Sequence, residues 1–236
     1  MKAIILAGGI GTRLRPLTYE IPKPLLPVQG KTLTEHVFDI LKTADVDEVY
    51  LSIGHMADKI KEYFKDGKKF GIKIKYLVEN EPLGTGGWMH IMQEKNLIPE
   101  EDFIVLNGDN LFDIDFKEMH EFHKKEKALI TLSLYEIEDV ESRGVVAMQG
   151  NKVVDFVEKP KKEEAPSHYI SAGYYIFSPE VFKYLPKEKK FMLENHLFPV
   201  LAKQKKVAGF ISKAQWFDTG TFDRWQRVIE EWRKKK

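Results

Sequence analysis

The chain has 236 residues, with 37 Lys and Arg against 36 Asp and Glu, 43% hydrophobic and 12% aromatic residues, and no cysteine. These are the proportions of an ordinary globular protein and exclude disordered, collagen-like and disulfide-stapled chains. Thiol catalysis and cysteine-ligated metals are excluded too, and a net charge of +1 supplies no general field for nucleic acid or anionic lipid.

A chain of this length buries roughly 70% of the surface its unfolded form exposes, so a single domain over 1–236 is expected. The longest stretch without Asp, Glu, Lys or Arg, Ala165 to Pro179, contains prolines and polar residues. It does not reach the ~18 apolar residues of a membrane helix. Neither a membrane nor a nucleic-acid partner is expected, and the expected location is the cytoplasm. Lys2 followed by AIILAGGIGT has the outline of a short secretory leader, but the glycines, Arg13, Arg15 and the missing small-residue cleavage site oppose that reading.

AIIL (3–6) is a short apolar run that precedes a glycine loop. EVYLSI (48–53), IKIKYLV (72–78) and FIVLN (103–107) are short, β-branched and closely bounded, as buried parallel strands should be. Between them Thr34 to Thr43, Ala57 to Phe64, Gly86 to Asn96 and Phe116 to Lys125 read as helices. The β-α-β-α-β-α-β order predicts an α/β fold, a Rossmann-like and mostly parallel sheet with helices on both faces. Ligands of such sheets lie at the carboxyl ends of the strands.

The second half changes character. ALITLSLYEI (128–137), GVVAM (144–148), KVVDFVEK (152–159) and YISAGYYIF (169–177) read as strands, with QGN (149–151) as a hairpin turn, so antiparallel pairing is expected. Pro179 to Tyr184 and Phe191 to Lys203 read as helical. A strand at Val207 to Ile211, the WFDTGT segment (216–221) and a helix from Thr221 to Trp232 follow. The lysine-rich segments KPKKEE, KEKK and KQKK and the KKK terminus read as solvated loops and helix ends. No internal repeat is present, and no hexapeptide repeat follows the last helix, so no C-terminal β-helix is expected.

LAGGIGTRLRPLT (6–18) stands directly after the first strand. Gly8, Gly9 and Gly11 permit positive φ and close backbone approach, which lets main-chain N–H groups converge on phosphate oxygens. The loop lacks the third glycine of the dinucleotide fingerprint, where Leu14 stands, and the GK[ST] of a P-loop. Arg13 and Arg15 are two of only six arginines beside 31 lysines, and forked planar donors suit phosphates. Lys23 follows in PKPLLP. A tight turn with solvated arginines is the alternative.

LAGGIGTRLRPLT followed by IPKPLLPV closely resembles the signature of the sugar-1-phosphate nucleotidylyltransferases, the enzymes that make nucleoside-diphosphate sugars. The resemblance continues in order through ENEPLGTGG (79–87), LNGD (106–109), RGVV (143–146), FVEKP (156–160), SAGYYIF (171–177) and WFDTGT (216–221), almost the whole chain. It implies one nucleotidyltransferase domain, with a nucleotide-binding half over 1–126, and an antiparallel sugar-binding half with the closing helix over 127–236. It also implies in-line attack of a sugar-1-phosphate oxygen on the α-phosphorus of a nucleoside triphosphate, with Mg2+ bridging oxygens and pyrophosphate leaving.

Residue by residue, the resemblance places Asp109 and Asp218 as metal ligands, with Asp113 and Asp115 near enough to rival Asp109. Arg13 falls at the β and γ phosphates and Lys23 near the α-phosphate, as catalytic groups. Leu6, Gly8, Gly9, Gly11 and Thr12 fall along the nucleotide. Lys159 would hold the sugar's phosphate, and Glu158 would accept from sugar hydroxyls. Gly144 and Gly173 would let the backbone approach the sugar, and Ser171 stands where many relatives have Asn. The bland readings are that Asp109 makes a turn, Asp218 caps the last helix, and Glu158 and Lys159 form a surface ion pair.

A sugar phosphate is already an anion at neutral pH, so no general base is needed. His36, His90, His120, His123 and His196 fall in helical stretches without a zinc-site context.

The resemblance sets the nucleobase against ENEPLGTGG, with Gly84 letting the main chain meet the base. At a base edge the acceptor-only carboxylate of Glu79 matches guanine, whose ring N–H and amino group are adjacent donors, and this favours GTP. Binding ribose hydroxyls and capping a turn are alternative roles for Glu79. PLGTGG most resembles mannose-1-phosphate and heptose-1-phosphate guanylyltransferases, and UTP- or dTTP-dependent glucose-1-phosphate enzymes are the alternative. Two rivals come from other classes. A regulatory nucleotide-sugar-binding paralogue would be expected to lose some of Arg13, Lys23, Asp109, Lys159 and Asp218, all of which are present. A dinucleotide-dependent oxidoreductase lacks its acidic residue, since Gly54 and His55 follow the second strand. The sequence admits a homo-oligomer.

Overall fold

The computed structural model describes residues 1–233; the terminal lysines, expected as a solvated end, lie outside the described residues. In chain order the elements are β1 (Lys2–Leu6), β2 (Pro27–Val28), β3 (Lys31–Thr32), α1 (Leu33–Lys42), β4 (Glu48–Ile53), α2 (Ala57–Phe64), β5 (Lys73–Val78), α3 (Trp88–Glu94), β6 (Phe103–Asn107), β7 (Asn110–Phe112) and α4 (Phe116–Glu126). There follow β8 (Ile130–Glu136), β9 (Gly144–Gln149), β10 (Lys152–Glu158), β11 (Tyr169–Phe177), α5 (Phe198–Lys203), β12 (Val207–Ile211), β13 (Trp216–Asp218) and α6 (Phe222–Glu231). The fold is α/β and Rossmann-like. Among the described residues no helix is long and apolar enough to cross a membrane.

Two compact units interleave along the sequence. Among the described residues the first comprises 1–82, 105–116 and 214–233, and the second 83–104 and 117–213, the change falling inside β6.

In the first unit the strand order is β5-β4-β1-β6, with β1, β4 and β5 parallel and paired from Lys2↔Glu48 and Glu48↔Lys73 onward. All six residues of β4 are buried, which explains its unbroken run of strand formers. α1 begins with a reciprocal cap written in the sequence as Thr32-x-x-Glu35. The Glu35 N–H donates to Thr32 Oγ1 at 3.2 Å, and the Thr32 N–H donates to Glu35 Oε2 at 2.6 Å. Phe38, Phe64 and Phe70 close over the sheet as edge-to-face and tilted rings. α6 returns to this unit. Trp225 Nε1 donates to the Pro27 carbonyl, and Gln29 Nε2 donates to the carbonyls of Ile229 and Trp232.

In the second unit the order is β11-β8-β12-β10-β9. β8–β11, β9–β10 and β10–β12 are antiparallel, while β12 lies parallel to β8 because the chain returns to that edge by a long crossover through helices. Gly150 and Asn151 form the two-residue turn between β9 and β10, with Gly150 at φ 58. Trp88 is fully buried against Phe103, Phe177 and Phe182. Two helical stretches differ in kind from regular α-helix. Pro179–Tyr184 is 3-10, and Phe191 to Lys203 opens as a π-helix, Leu193–Leu197, before α5. Pro199 has no N–H for the Asn195 carbonyl, and its ring crowds that carbonyl, so a regular α-helix cannot run through the segment.

Glu48 lies under a cluster of lysines at the edge of this first-unit core, 2.9 Å from Lys73 Nζ and 3.0 Å from Lys75 Nζ. Burial pushes its carboxyl up, but the hydrogen bonds from Lys73 and Lys75 outweigh burial and hold it at about 2. A carboxyl lowered on folding stabilises the fold above its unfolded value of 4.5 and loses that contribution as pH falls toward about 2. Glu48→Gln is therefore expected to lower stability at pH 7 by about 1–3 kcal/mol. Thermal melts across pH should show its deficit against the parent shrinking between 4.5 and about 2.

Candidate active site

The first unit gathers the glycine loop, Lys23 and both expected aspartates. β1 ends at Leu6, whose carbonyl accepts from the Gly108 N–H at 2.9 Å, and Ala7 N–H donates to the Ser52 carbonyl at 2.8 Å. This sets the loop at the carboxyl ends of β1 and β4. Gly11 adopts φ 70 and opens the 3-10 turn Thr12–Leu14, and its carbonyl accepts from Thr18 Oγ1 at 2.8 Å. The left-handed conformation is why a glycine stands there. Gly9 borders open space. Arg15 lies over the Tyr19 ring, 4.9 Å from its centroid.

Asp109 follows β6, where the chain turns into the short strand β7. β7 pairs antiparallel with β13 in the register Asn110↔Asp218. Thr219 then donates twice to the Asp109 carbonyl, from its N–H at 3.0 Å and from Oγ1 at 2.7 Å. The two aspartates are thus neighbours across a ladder, although they are far apart in sequence. Asp113 sits at the opposite end of that ladder, its N–H donating to the Gln215 carbonyl. It is removed from Asp218 by three residues of extended chain, about 10 Å.

Each carboxylate is engaged by a cation. Lys23 Nζ lies 2.8 Å from Asp109 Oδ2, with Lys23 11% exposed and Asp109 40%. Arg224 Nη1 donates to Asp218 Oδ2 at 2.6 Å, and the Gly220 N–H donates to Oδ1. A side-chain carbon at Gly220 would stand 3.1 Å from Arg13 Nη2, so the loop arginine lies against the turn that carries Asp218. Any larger residue at 220 would displace it.

The donor set suits a hard divalent cation. Among the described residues no group of three or more His, Asp or Glu is placed to hold a metal, and a cation beside Asp109 and Asp218 would complete its shell with water. Magnesium takes one or two protein carboxylates and keeps several waters, and Asp109 and Asp218 fit that requirement.

Glu79 follows β5 in the same unit. Ser52 Oγ donates to its Oε1 at 2.7 Å, and a side-chain carbon at Gly8 would lie 3.6 Å from the same oxygen. Glu79 therefore lies beside the start of the glycine loop.

The remaining expected residues belong to the second unit. Gly144 is paired with Glu158, and a side-chain carbon there would strike Phe156 at 2.4 Å and Glu158 Oε2 at 3.0 Å. Lys159 has φ 50, donates its N–H to the Arg143 carbonyl at 2.8 Å, and holds Nζ 3.5 Å from Glu158 Oε1. It is 65% exposed and Glu158 25%. Ser171 Oγ reaches Tyr175 Oη at 3.4 Å, and Gly173, at φ 84, falls where the register of β11 shifts. Gly84 has φ 78, and its side-chain direction is filled by the Phe191 carbonyl 2.4 Å away, so chain packing alone requires glycine there.

Ser52, Thr219 and Arg224 were not singled out from the sequence. Arg224 carried a signal, as one of six arginines six positions after Asp218. Thr219 stands inside the WFDTGT motif, but its bond to Asp109 and the one from Ser52 to Glu79 exist only once strands pair.

A family model described as nucleotidyl transferase matches residues 2–235. The chain is 37% identical to D-glycero-alpha-D-manno-heptose 1-phosphate guanylyltransferase of Aneurinibacillus thermoaerophilus, covering 98% of each. It is 36% identical to UTP–glucose-1-phosphate uridylyltransferase of Synechocystis, covering 97% of this chain and 62% of that relative, so it spans about three fifths of that protein. HddC from Yersinia pseudotuberculosis, solved in complex with GMP-PN, superposes with a TM-score of 0.79 at 29% identity over 98% of both chains. The chain belongs to the nucleotidyl transferase family, among its sugar-1-phosphate nucleotidylyltransferases.

Proposed function

We propose that this protein transfers a nucleotidyl group from a nucleoside triphosphate to a sugar-1-phosphate, within one nucleotidyltransferase domain. The substrates are GTP and mannose-1-phosphate or a related manno-configured sugar phosphate, and the products are a GDP-sugar and pyrophosphate. The observation that carries this reading is the convergence of Asp109, Asp218, Lys23 and Arg13 in the first unit, with Thr219 tying the two aspartate turns together. The guanylyltransferase relative that matches over 98% of its length supports the choice of nucleotide and sugar.

In the reaction a phosphate oxygen of the sugar-1-phosphate attacks the α-phosphorus. The new P–O bond forms as the bond to the bridging oxygen of the β-phosphate breaks, and pyrophosphate leaves with that electron pair. Arg13 binds the β and γ phosphates and stabilises the leaving group, and Lys23 draws charge from the α-phosphate region. Leu6, Gly8, Gly9, Gly11 and Thr12 line the nucleotide with main-chain groups. Asp109 and Asp218 would hold Mg2+, which supplies Lewis-acid neutralisation of phosphate oxygens. Lys159 holds the sugar's phosphate, while Glu158, kept clear of a side chain at Gly144, accepts from sugar hydroxyls. The attacking phosphate is an anion already, so no side chain need remove a proton.

A second reading, transfer from UTP to glucose-1-phosphate, is favoured by the Synechocystis relative. A matrix of nucleoside triphosphates against sugar-1-phosphates with Mg2+, scored by pyrophosphate release, decides between them. Highest kcat/KM is expected for GTP with a manno-configured sugar phosphate, and release with UTP and glucose-1-phosphate alone would replace this reading by the second.

Arg13→Ala is expected to keep the parent's circular dichroism and melting behaviour while losing at least ~10²-fold in kcat, the effect of removing one charge-stabilising donor. Full activity would remove Arg13 from the phosphate site. Glu79→Gln should reduce kcat/KM for GTP relative to UTP, because an amide cannot accept from both guanine donors. An unchanged GTP/UTP ratio would exclude Glu79 from base recognition.

A further inference from the structure

Glu194, in the π-helical turn of the second unit, is absent from the roles assigned above. The residue is half-buried. Among the described residues no cation forms an ion pair with it. Burial pushes its carboxyl up, nearby Glu158 adds to the push, and a hydrogen bond from Thr85 and the charge of Lys159 oppose it. The π-helical turn packs against β10, the strand that ends at Glu158, and just beyond the turn Phe198 meets Phe156 with ring centroids 5.3 Å apart, so Glu194 lies on the side of the EKP segment expected to hold the sugar. A carboxylate kept crowded without an ion pair is costly and needs a reason other than packing.

Its geometry is also fixed. Thr85 Oγ1 donates its one proton to Glu194 Oε2 at 2.5 Å and accepts from the Leu193 N–H at 2.9 Å. The two segments are further stitched by Gly86 N–H to the Phe191 carbonyl and Phe191 N–H to the Leu83 carbonyl, each at 3.0 Å. Gly84 and Gly86 permit this approach. Side-chain carbons there would meet the Phe191 carbonyl and the Phe191 ring at 2.4 and 2.2 Å.

We propose that Glu194 is a second sugar-reading carboxylate beside Glu158, with Oε2 held by Thr85 and Oε1 accepting from a sugar hydroxyl, and that this pair sets discrimination between epimeric sugar-1-phosphates. The assignment rests on the reading that Glu158 and Lys159 hold the sugar phosphate. An acceptor fixed on one side loses its hydrogen bond when the hydroxyl changes from axial to equatorial, and such a site rejects the wrong epimer.

The test takes the sugar-1-phosphate that the unaltered protein prefers, together with its C2 and C4 epimers, and measures steady-state kinetics for Glu194→Gln and Thr85→Val. Glu194→Gln keeps the side-chain volume and removes a crowded charge, so it should fold. The expected result for both variants is a KM for the preferred sugar phosphate raised about 10-fold or more and an epimer ratio reduced by a similar factor, with the nucleotide KM of Glu194→Gln within about twofold of the parent. An unchanged epimer ratio in either variant overturns the proposal. So does an equal rise in both KM values of Glu194→Gln, which would mark a packing role. If the unaltered protein releases no pyrophosphate with any sugar phosphate, the transfer reaction itself falls, and this assignment with it. That outcome is distinct from active variants with the parental ratio.

Discussion

The two hydrogen bonds that Thr219 donates to the Asp109 carbonyl join positions 110 residues apart, and the first unit's chemistry depends on that junction. Two carboxylates at neighbouring positions repel each other and would separate if they sat on free loops. Here the β7–β13 ladder fixes the backbone on both sides, and Lys23 and Arg224 offset the charge on each carboxylate. The result is an acidic pair whose spacing comes from main-chain hydrogen bonds, leaving the side-chain oxygens to exchange partners.

Glycines shape both units by the space they leave. In the first unit Gly220 makes room for Arg13, and a side-chain carbon at Gly108 would stand 2.9 Å from both Ile5 Cγ2 and the Leu6 carbonyl. In the second, Gly144 makes room for Phe156 and Glu158, while Gly84 and Gly86 accept the Phe191 backbone and ring. The glycines of the two motifs therefore do different work. Those at 8, 9 and 11 belong to the loop after β1, where Gly11 takes a left-handed turn, whereas those at 84 and 86 dock one segment of chain onto another. A glycine-rich string does not distinguish these uses, because both require only the missing Cβ.

Much of the fold was legible beforehand. The strands at 48–53, 103–107, 169–177 and 207–211 and the helix at 57–64 agree with the expected bounds, because each is a short apolar run or a clear amphipathic stretch between turn residues. The π-helical opening before Pro199 was not legible, since helical periodicity does not separate 3.6 from 4.4 residues per turn over five positions. The parallel return of β12 onto β8 was also hidden, because strand direction depends on where the chain crosses over, which no local pattern records.

The chain's own order of residues determined the α/β class, the loop with its two arginines, the LNGD and WFDTGT turns and the EKP segment, all of which are local chemistry at fixed spacing. Only the tertiary structure decided that Asp218 stands beside Asn110 and away from Asp113, that Arg224 pairs with Asp218, and that Thr85 holds Glu194. Those contacts are made across strand ladders and between distant turns. Their register is set by the packing of the whole sheet, and the residues involved carry no local mark of one another.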